Sequence, residues 1–208
     1  MPTSSVVRGG DGRKRCNWST AAPDFVAYHD DEWGRAVIDD ARIYEKICLE
    51  GFQSGLSWLT ILRKREGFRR AFAGFDPEVV ASFGPRDTKR LLADAGIVRH
   101  RGKIEAAIAN ARATLDAQAR HGSLASVVWS FEPRRRGRPA PKGLGDIESK
   151  TVESTALSKE LSKLGFRFVG PTTAYAAMQS LGLVNDHVSG CYVRSACEQD
   201  RRAIGAIA

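Results

Sequence analysis

The sequence predicts an all-α fold, and two observations support that prediction. Apolar residues recur at intervals of three or four positions in several segments, which is typical of amphipathic helices. The longest such segment runs from about Arg101 to Ala119, where Ile104, Ile108 and Leu115 keep this spacing. No segment gives a convincing β-hairpin, and no internal repeat indicates a solenoid.

Capping residues, prolines and glycines mark where the predicted helices begin and end. Asp39 or Asp40 is the expected N-cap of the first helix. Asp76 precedes Pro77, and a helix tolerates proline at its first position because no backbone N–H is needed there. In chain order, the predicted helices cover about 40–54, a short stretch from Pro77, 86–95, 101–119, a stretch capped by Ser154 and ended by Gly165, and 171–181.

Positive charge is in excess and is clustered. The chain has 32 Lys and Arg against 24 Asp and Glu, a net charge of +8, which favours a polyanionic partner such as nucleic acid. Much of the excess lies in residues 1–15 and 132–142. Two further clusters lie elsewhere in the chain, one of Arg63, Lys64, Arg65, Arg69 and Arg70, and one of Arg99, Arg101 and Lys103.

The cysteine content and the hydropathy pattern indicate the cellular compartment. Four cysteines are too few for a disulfide-stabilised scaffold of 208 residues. The N-terminal residues are polar and basic, unlike a signal peptide, and no apolar run approaches the roughly 18 residues of a membrane span. We therefore expect a cytoplasmic protein that does not contact a membrane. We also expect it to act as a monomer.

One globular domain is predicted for residues 15–194. A flexible basic tail over 1–14 and a C-terminal tail over 195–208 are expected to flank it. The stretch from about 133 to 153 has few large apolar residues and many Arg, Gly and Pro, including the run Arg134–Arg138. This composition predicts either a mobile loop or a linker. We favour a mobile loop within one domain, because the metal-ligand pattern near both ends of the chain would join the two ends.

The segment from Leu164 to Leu183 predicts two helices joined by a turn between Gly165 and Gly170. Such a turn presents backbone N–H groups, and the second helix adds the positive end of its dipole. Together these features bind phosphate without a charged side chain. The alternative is an ordinary pair of antiparallel helices within a core.

Four soft metal ligands lie near the two ends of the chain. The spacing His187-x3-Cys191 places both side chains on one face of a helical turn. With Cys16 and His29 they form a donor set suited to a closed, structural, tetrahedral zinc site. Such a site would join the two ends of one domain. The spacing also leaves open two separate pairs that never meet, because the gap between Cys16 and His29 fits no standard zinc finger.

Aromatic and acidic residues concentrate in two short stretches, 28–34 and 48–58. On a helix with about 100° per residue, Glu50 lies beside Ile43 and Ile47 at the edge of the apolar arc. A partly desolvated carboxylate there is expected to have a perturbed pKa and to line a pocket. The ordinary alternatives are a solvated glutamate and core packing for the aromatic residues Tyr28, Trp33 and Trp58.

Read together, these motifs resemble the DNA-3-methyladenine glycosylase I family over about Arg15–Arg194. The stretches that carry the resemblance are Cys16–Trp18, Ala27–Gly34, Ile47–Trp58, Ala95–Ile104 and Gly182–His187. The resemblance implies a helix-hairpin-helix DNA glycosylase fold. It also implies a structural zinc clasp between the N- and C-terminal segments, formed by Cys16, His29, His187 and Cys191.

The resemblance further implies a base pocket formed by Glu50, Tyr28 and Trp58, with Trp18 and Trp33 close by. It implies that Gly55-Leu56 probes the DNA, because an apolar side chain can open or fill a base step. Phosphate contacts are expected from the hairpin glycines and from the basic cluster, namely Gly165, Gly170, Arg99, Arg101 and Lys103, with His100 as a further candidate.

The implied activity is monofunctional excision of 3-methyladenine from double-stranded DNA, by base flipping and hydrolysis of the N-glycosidic bond, with Glu50 as the catalytic residue. Thr172 or Thr173 occupies the position where bifunctional relatives carry a nucleophilic lysine, so no strand cleavage is expected. Asp186 lies about one residue out of register with the catalytic aspartate of related glycosylases, which favours a structural cap.

Three alternatives remain open from the sequence. Phe52 stands where many relatives carry a polar residue, so a glycosylase for a different lesion with an altered pocket rim is one. A non-catalytic DNA-binding zinc protein is the second, and an RNA-binding protein of similar charge is the third.

Overall fold

The computed structural model describes residues 5–134 and 138–204, and helices dominate these residues. None of the helices in this part of the chain combines the length and apolarity needed to cross a membrane. The helices are α1 Pro23–Asp31, α2 Asp40–Gln53, α3 Trp58–Ala71, α4 Pro77–Ala81, α5 Pro85–Ala93, α6 Arg101–His121, α7 Leu124–Trp129, α8 Val152–Lys163, α9 Pro171–Ser180 and α10 Arg194–Ile204. Short 3-10 helices cover Asn17–Thr20, Ala73–Phe75 and Leu144–Asp146.

A small antiparallel hairpin precedes the helices, so the all-α prediction needs a correction. Strand β1 covers Val6–Arg8 and pairs with β2, Lys14–Cys16. Each strand has three residues, too few for a period of two to be recognised in the sequence. The segment predicted as a flexible tail, 1–14, therefore includes strand β1, while residues 1–4 lie outside the described part.

The C-terminal segment also differs from the prediction of a tail over 195–208. Helix α10 occupies most of it, and its Cys197 and Arg201 side chains are buried. Arg201 donates to the backbone oxygen of Leu183 at 2.8 Å. These contacts attach α10 to the domain as far as Ile204, and residues 205–208 lie outside the described part.

The predicted helix starts are largely confirmed, with two refinements. Asp39 caps α2 by accepting from the backbone N–H of Arg42, whereas the Asp40 carboxylate accepts from the first N–H groups of α7. Ser154 is not the N-cap of α8. Thr151 holds that position, and the two residues exchange hydrogen bonds in a capping box, which places Ser154 in the first turn.

Helix α2 lies at the centre of the core, and every residue from Ile43 to Phe52 is buried. It packs against α3, α6, α7 and α9. Phe52 is 1% exposed, and its ring lies 4.5 Å from that of Phe68 and 5.9 Å from that of Phe72, between ring centroids. Phe52 therefore packs in the core and does not form the pocket rim, which removes the sequence argument for a different lesion.

The segment predicted as a mobile loop, about 133–153, is attached to the domain where it is described. Ser189 donates its backbone N–H to the Pro141 oxygen at 2.7 Å, and Arg138 forms an ion pair with Asp186 at 2.9 Å. Within the run Arg134–Arg138, residues 135–137 lie outside the described part.

We expect Phe52→Ala to lower the free energy of unfolding by about 3–5 kcal/mol, because it leaves a cavity among well-packed rings. Phe168→Ala removes a partly exposed ring and should change stability by less than about 1 kcal/mol. Urea denaturation of both variants measures the contrast. Equal losses for the two variants would contradict the core position of Phe52.

Candidate active site and metal-binding cluster

An aromatic pocket of about 310 Å³ opens beside α1, α2 and α9. This volume is at the lower end of the range of small-molecule sites, about 300–1,000 Å³. The structure brings together in it all five residues that the sequence predicts for a base pocket, which are Trp18, Tyr28, Trp33, Glu50 and Trp58.

The aromatic side chains form two adjoining walls. Tyr28 and Trp58 lie 5.3 Å apart between ring centroids, at 45° to each other. Trp18 and Trp33 lie 5.1 Å apart in an edge-to-face arrangement. The π faces carry negative electrostatic potential, so such a pocket favours a flat ligand with positive charge.

Glu50 brings a carboxyl group into this pocket from the buried side of α2. It is 6% exposed, and burial raises its pKa to about 7. Lys46, one turn earlier on the helix, opposes the rise, and burial lowers the pKa of Lys46 to about 8. Lys46 Nζ also lies 5.9 Å from the centroid of the Tyr28 ring. The site thus contains a carboxyl group that titrates near neutral pH.

Sequence reasoning missed Lys46, which interacts with Glu50, and five residues that line the pocket. Lys46 and Gln53 lie on α2, four residues before and three residues after Glu50, which is a signal that the sequence contains. The other lining residues come from α9 and from the segment before α8, where only the folded chain brings them near Glu50. They are Leu144, Ile147, Ala176 and Gln179.

Trp58 carries a further polar group in this region. Its Nε1 atom is buried and has no hydrogen-bond partner in the described part of the chain. A buried donor without a partner destabilises a fold by about 1–3 kcal/mol. The indole is therefore held in place by packing around its ring.

Asp186 lies outside the aromatic pocket, beside a separate cavity of about 940 Å³. Its buried carboxylate accepts hydrogen bonds from Tyr175 at 2.6 Å, from Gln179 at 2.9 Å and from Arg138 at 2.9 Å. Three donors leave little capacity for a reacting group. This geometry agrees with the structural role favoured from the sequence, although Asp186 joins three side chains instead of capping a helix. Gln179 links this network to the pocket.

The four predicted metal ligands, Cys16, His29, His187 and Cys191, converge in a second cluster. All four are buried, and their ligand atoms lie within 4.8 Å of one another. His187 Nδ1 lies 3.2 Å from His29 Nε2, and Cys191 Sγ lies 3.4 Å from His29 Nε2. The alternative of two pairs that never meet is wrong, and the cluster can hold one metal ion.

The groups around this cluster orient its two imidazoles. His29 Nδ1 lies 2.8 Å from the Asp30 carboxylate, and His187 Nε2 lies 2.9 Å from the Trp33 carbonyl oxygen. Arg15 in turn binds Asp30 with both Nε and a terminal nitrogen. Partners of this kind on the outer nitrogen of a histidine fix which inner nitrogen faces the cluster.

The predicted hairpin consists of α8, α9 and the segment 164–170 between them. Gly165 has a φ of +97°, a conformation open to glycine, and it ends α8. Gly170 is the N-cap residue of α9 and offers no side chain to the first N–H groups of that helix. The two helices pack against each other. This geometry leaves the start of α9 able to receive an anion.

Gly55 and Leu56 lie in the connection between α2 and α3. Gly55 has a φ of +78°, and the Leu56 side chain is 41% exposed. A large apolar residue on a tight exposed turn is positioned to contact a partner.

The basic cluster after α5 divides into two groups. Arg99 and Arg101 are exposed. Lys103 is buried, and its ammonium donates to the backbone oxygens of Phe52 and Ser54. The prediction of a phosphate contact therefore does not fit Lys103. It stabilises the C-terminal end of α2, where unpaired carbonyl oxygens favour a cation.

The basic residues of α3 are largely engaged within the protein. Three of them form ion pairs with carboxylates of the helices and turns nearby. The pairs are Arg63 with Asp24 at 2.9 Å, Arg65 with Glu32 at 2.6 Å and Arg69 with Glu45 at 2.6 Å. Their charge is thus partly neutralised.

The comparison with known proteins assigns the chain to a family. Residues 18–195 match the family model described as methyladenine glycosylase. The chain belongs to the methyladenine glycosylase family. The resemblance drawn from the sequence motifs is thereby confirmed. Strands β1 and β2 lie before the matched region, and most of α10 lies after it.

Similar proteins cover nearly the same residues. The chain is 49% identical over 178 residues to DNA-3-methyladenine glycosylase 1 of Escherichia coli (strain K12), covering 86% of this chain and 95% of that protein. A crystal structure of 3-methyladenine DNA glycosylase I has a TM-score of 0.80 at 48% identity, covering 86% and 98% of the two chains. The 3-methyladenine DNA glycosylase I of Staphylococcus aureus, solved to describe 3-methyladenine recognition, has a TM-score of 0.81 at 34% identity, covering 86% and 96%.

The raised pKa of Glu50 predicts a pH-dependent difference in stability. The folded chain keeps the Glu50 proton up to about pH 7, whereas the unfolded chain loses it near the ordinary value of 4.5. Raising the pH between these values therefore destabilises the wild type. Glu50→Gln removes this effect, so it should be more stable than wild type at pH 8, by up to about 3 kcal/mol, and about equally stable near pH 4.5.

Urea denaturation of wild type and Glu50→Gln at the two pH values tests this expectation. Glu45→Gln makes the same change at another buried position of α2, which faces Arg69, and serves as the control. A stability difference for Glu50→Gln that does not vary with pH would contradict the raised pKa.

Proposed function

We propose that this member of the family is a monofunctional DNA glycosylase that excises 3-methyladenine from double-stranded DNA. The base is flipped out of the helix, and its N-glycosidic bond is hydrolysed. The observation that carries the proposal is the buried Glu50 carboxyl group inside a pocket walled by Tyr28, Trp58, Trp18 and Trp33. The relatives at 49% and 34% identity bear names that state the same base specificity.

The chemistry of the lesion matches the pocket. An adenine alkylated at N3 is a cation, and it leaves the sugar as a neutral molecule, so its glycosidic bond is already weakened. A cation over the face of Tyr28 or Trp58 is stabilised by about 0.5–2 kcal/mol. Unmodified adenine is neutral and is not stabilised by this cation–π interaction.

Glu50 adds a second electrostatic contribution. With a pKa of about 7 in the free protein, its carboxyl group is divided between two protonation states near neutrality. A cationic base favours the ionised state, which accepts a charge-assisted hydrogen bond from the exocyclic amine. Binding that is equal in the ground state and the transition state does not raise the rate. The pocket therefore acts first in selection, and activation of water by Glu50 is the candidate catalytic step.

We propose that the segment between α8 and α9 acts as a helix-hairpin-helix element on the DNA backbone. Gly165 and Gly170 allow close approach, and the start of α9 offers N–H groups and a favourable dipole to a phosphate. Arg99 and Arg101 add exposed positive charge beside it. Thr172 or Thr173 supplies no amine, so strand cleavage through a Schiff base is not part of this proposal.

Leu56 is proposed as the residue that enters the base stack when the lesion flips. An apolar side chain on a short exposed turn can occupy the space that the flipped base leaves. Gly55 gives this turn its positive φ. Both residues directly follow α2, the helix that carries Glu50. This helix therefore fixes the position of Leu56 relative to the pocket.

The residues of the metal cluster fit zinc. Bond lengths of about 2.3 Å to sulfur and 2.0–2.1 Å to nitrogen give a tetrahedron with N–N, N–S and S–S edges of about 3.3, 3.6 and 3.8 Å. The observed N–N separation is 3.2 Å, and the N–S separations are 3.4, 3.5 and 3.7 Å. Two cysteines and two histidines complete the shell, so the ion would be structural.

This clasp would join Cys16, at the end of β2, to His187, 171 positions later. Cys191 and His29 would complete it. When bound, zinc would cross-link the two ends of the domain and thereby favour the folded state. Monomeric action and a cytoplasmic location stay predictions.

Release of free base from methylated DNA tests the proposed activity. Wild type is expected to release 3-methyladenine and not 7-methylguanine. Glu50→Gln should lower kcat/KM by about 10- to 100-fold, the equivalent of one charge-assisted hydrogen bond of about 1.5–3 kcal/mol. Glu45→Gln, on the same helix but outside the pocket, should retain activity once its folding is verified.

Other outcomes identify the alternatives. Release of another damaged base would indicate a glycosylase for a different lesion. Duplex binding without any base release would support the non-catalytic DNA-binding protein, and preferential competition by single-stranded RNA would support the RNA-binding protein.

Metal analysis of the purified protein tests the clasp. One zinc per chain is expected, and Cys16→Ser should lose most of it together with several degrees of thermal stability. Cys48→Ala, which changes a buried cysteine outside the cluster, should retain the metal. Equal zinc content in all three proteins would contradict the assignment of Cys16.

A further inference from the structure

Phe168, in the turn between α8 and α9, combines two unfavourable features. Its φ is +56°, a conformation in which bulky residues are strained, and its side chain is 41% exposed. Phe166 and Val169, its apolar neighbours in the turn, are both buried. The turn therefore uses two apolar residues for packing and directs the third toward solvent.

A buried side chain holds this conformation in place. Asn110 of α6 is 2% exposed. Its Oδ1 accepts from the Arg167 backbone N–H at 2.7 Å, and its Nδ2 donates to the Arg167 backbone oxygen at 3.2 Å. Both polar groups of the residue before Phe168 are thus fixed from the core. The surrounding structure enforces the strained turn, as it does at many functional sites.

Phe168 lies against two glycines. A Cβ atom at Gly51 would lie 3.3 Å from the Phe168 Cβ, which is a tight contact, and one at Gly102 would lie 3.9 Å from the Phe168 Cζ, which is an ordinary contact distance. The ring also lies 6.4 Å from that of His100, between ring centroids. Phe168 consequently covers the C-terminal part of α2 and the start of α6.

This position is close to the elements assigned to DNA. The C-terminal end of α2 leads directly to Gly55 and Leu56, and its other face presents Glu50 to the pocket. Arg167, the neighbour of Phe168, is exposed, and so is Arg99. An exposed ring near exposed arginine residues matches a DNA strand, in which apolar sugar faces alternate with phosphates.

We propose that Phe168 packs against a deoxyribose of the DNA strand near the flipped nucleotide, with Arg167 on a neighbouring phosphate. This inference rests on the proposed glycosylase function and adds a DNA-contacting residue to it. The strain at Phe168 is then retained for binding, because a glycine would adopt the same backbone conformation without strain.

Phe168→Gly is the informative variant, because it separates binding from stability. Its melting temperature should equal or exceed that of wild type, since glycine accepts a positive φ. Its affinity for a duplex containing a tetrahydrofuran abasic analogue should fall about 5- to 20-fold, in line with the loss of one aromatic contact. Binding of free 3-methyladenine, followed by tryptophan fluorescence, should not change.

The matched control is Ile38→Ala. Ile38 is 52% exposed and lies just before α2, at the opposite end of that helix, so duplex affinity should be retained. Phe168→Asn provides a second variant, because asparagine also tolerates this conformation. Arg167→Ala should reduce the salt dependence of duplex binding by about one phosphate contact, whereas Phe168→Gly should leave that dependence unchanged.

Unchanged duplex affinity in Phe168→Gly would overturn the proposal. A lower melting temperature with equal losses of duplex and free-base binding would also overturn it, because it would show that the ring supports the fold. Failure of the wild type to release 3-methyladenine would instead count against the proposed function. The duplex-binding comparison can still be made in that case, so the two failures are distinguishable.

Discussion

The burial of α2 is the constraint on which the site depends. Phe52 points into a cluster of aromatic rings, which sets the rotation of the helix, and this rotation directs Glu50 into the pocket. Lys103 binds the carbonyl oxygens at the C-terminal end, which sets where the helix stops. Leu56 follows at once. One packed helix therefore determines the depth of the carboxyl group and the position of the exposed leucine.

The metal cluster and the pocket are parts of one assembly. Trp18 contacts the His29 ring with centroids 5.3 Å apart, and Trp33 contacts the His187 ring at 4.7 Å. The Trp33 carbonyl also binds His187. A change in the cluster would therefore be transmitted through rigid aromatic contacts to the wall of the pocket that Trp18 and Trp33 form. Joining the ends of the chain in this way positions residues that the core of α2 does not reach.

Several groups of the site are unfavourable for the stability of the fold, and a role in ligand binding explains their presence. Burial of Glu50 raises its pKa, Trp58 keeps an unpaired indole N–H, and Phe168 has a strained backbone. Each departs from the local preference that folding alone would favour. Contacts elsewhere in the fold hold these unfavourable groups in place. One example is the pair of hydrogen bonds between the Asn110 side chain and the Arg167 backbone in the turn between α8 and α9. Glu50 and Trp58 line the pocket, and Phe168 lies on the surface proposed to contact DNA.

Local pattern in the sequence predicted six of the helices, because capping residues and the 3.6-residue period act within a few positions, as at Asp39. It did not predict α1, α3, α7 and α10. Residue chemistry and the family motifs also indicated the four metal ligands and the five pocket residues before any fold was known. Only the tertiary structure decided the roles of Lys103, Gln179 and Phe168. Lys103 binds Ser54, 49 positions earlier, and Asn110 holds the turn before Phe168 from 57 positions away. Gln179 binds Asp186 nearby, but it lies in the pocket with Glu50 only because α2 and α9 pack together. The 3.6-residue period in the sequence does not indicate such contacts, because they depend on how the helices pack against one another.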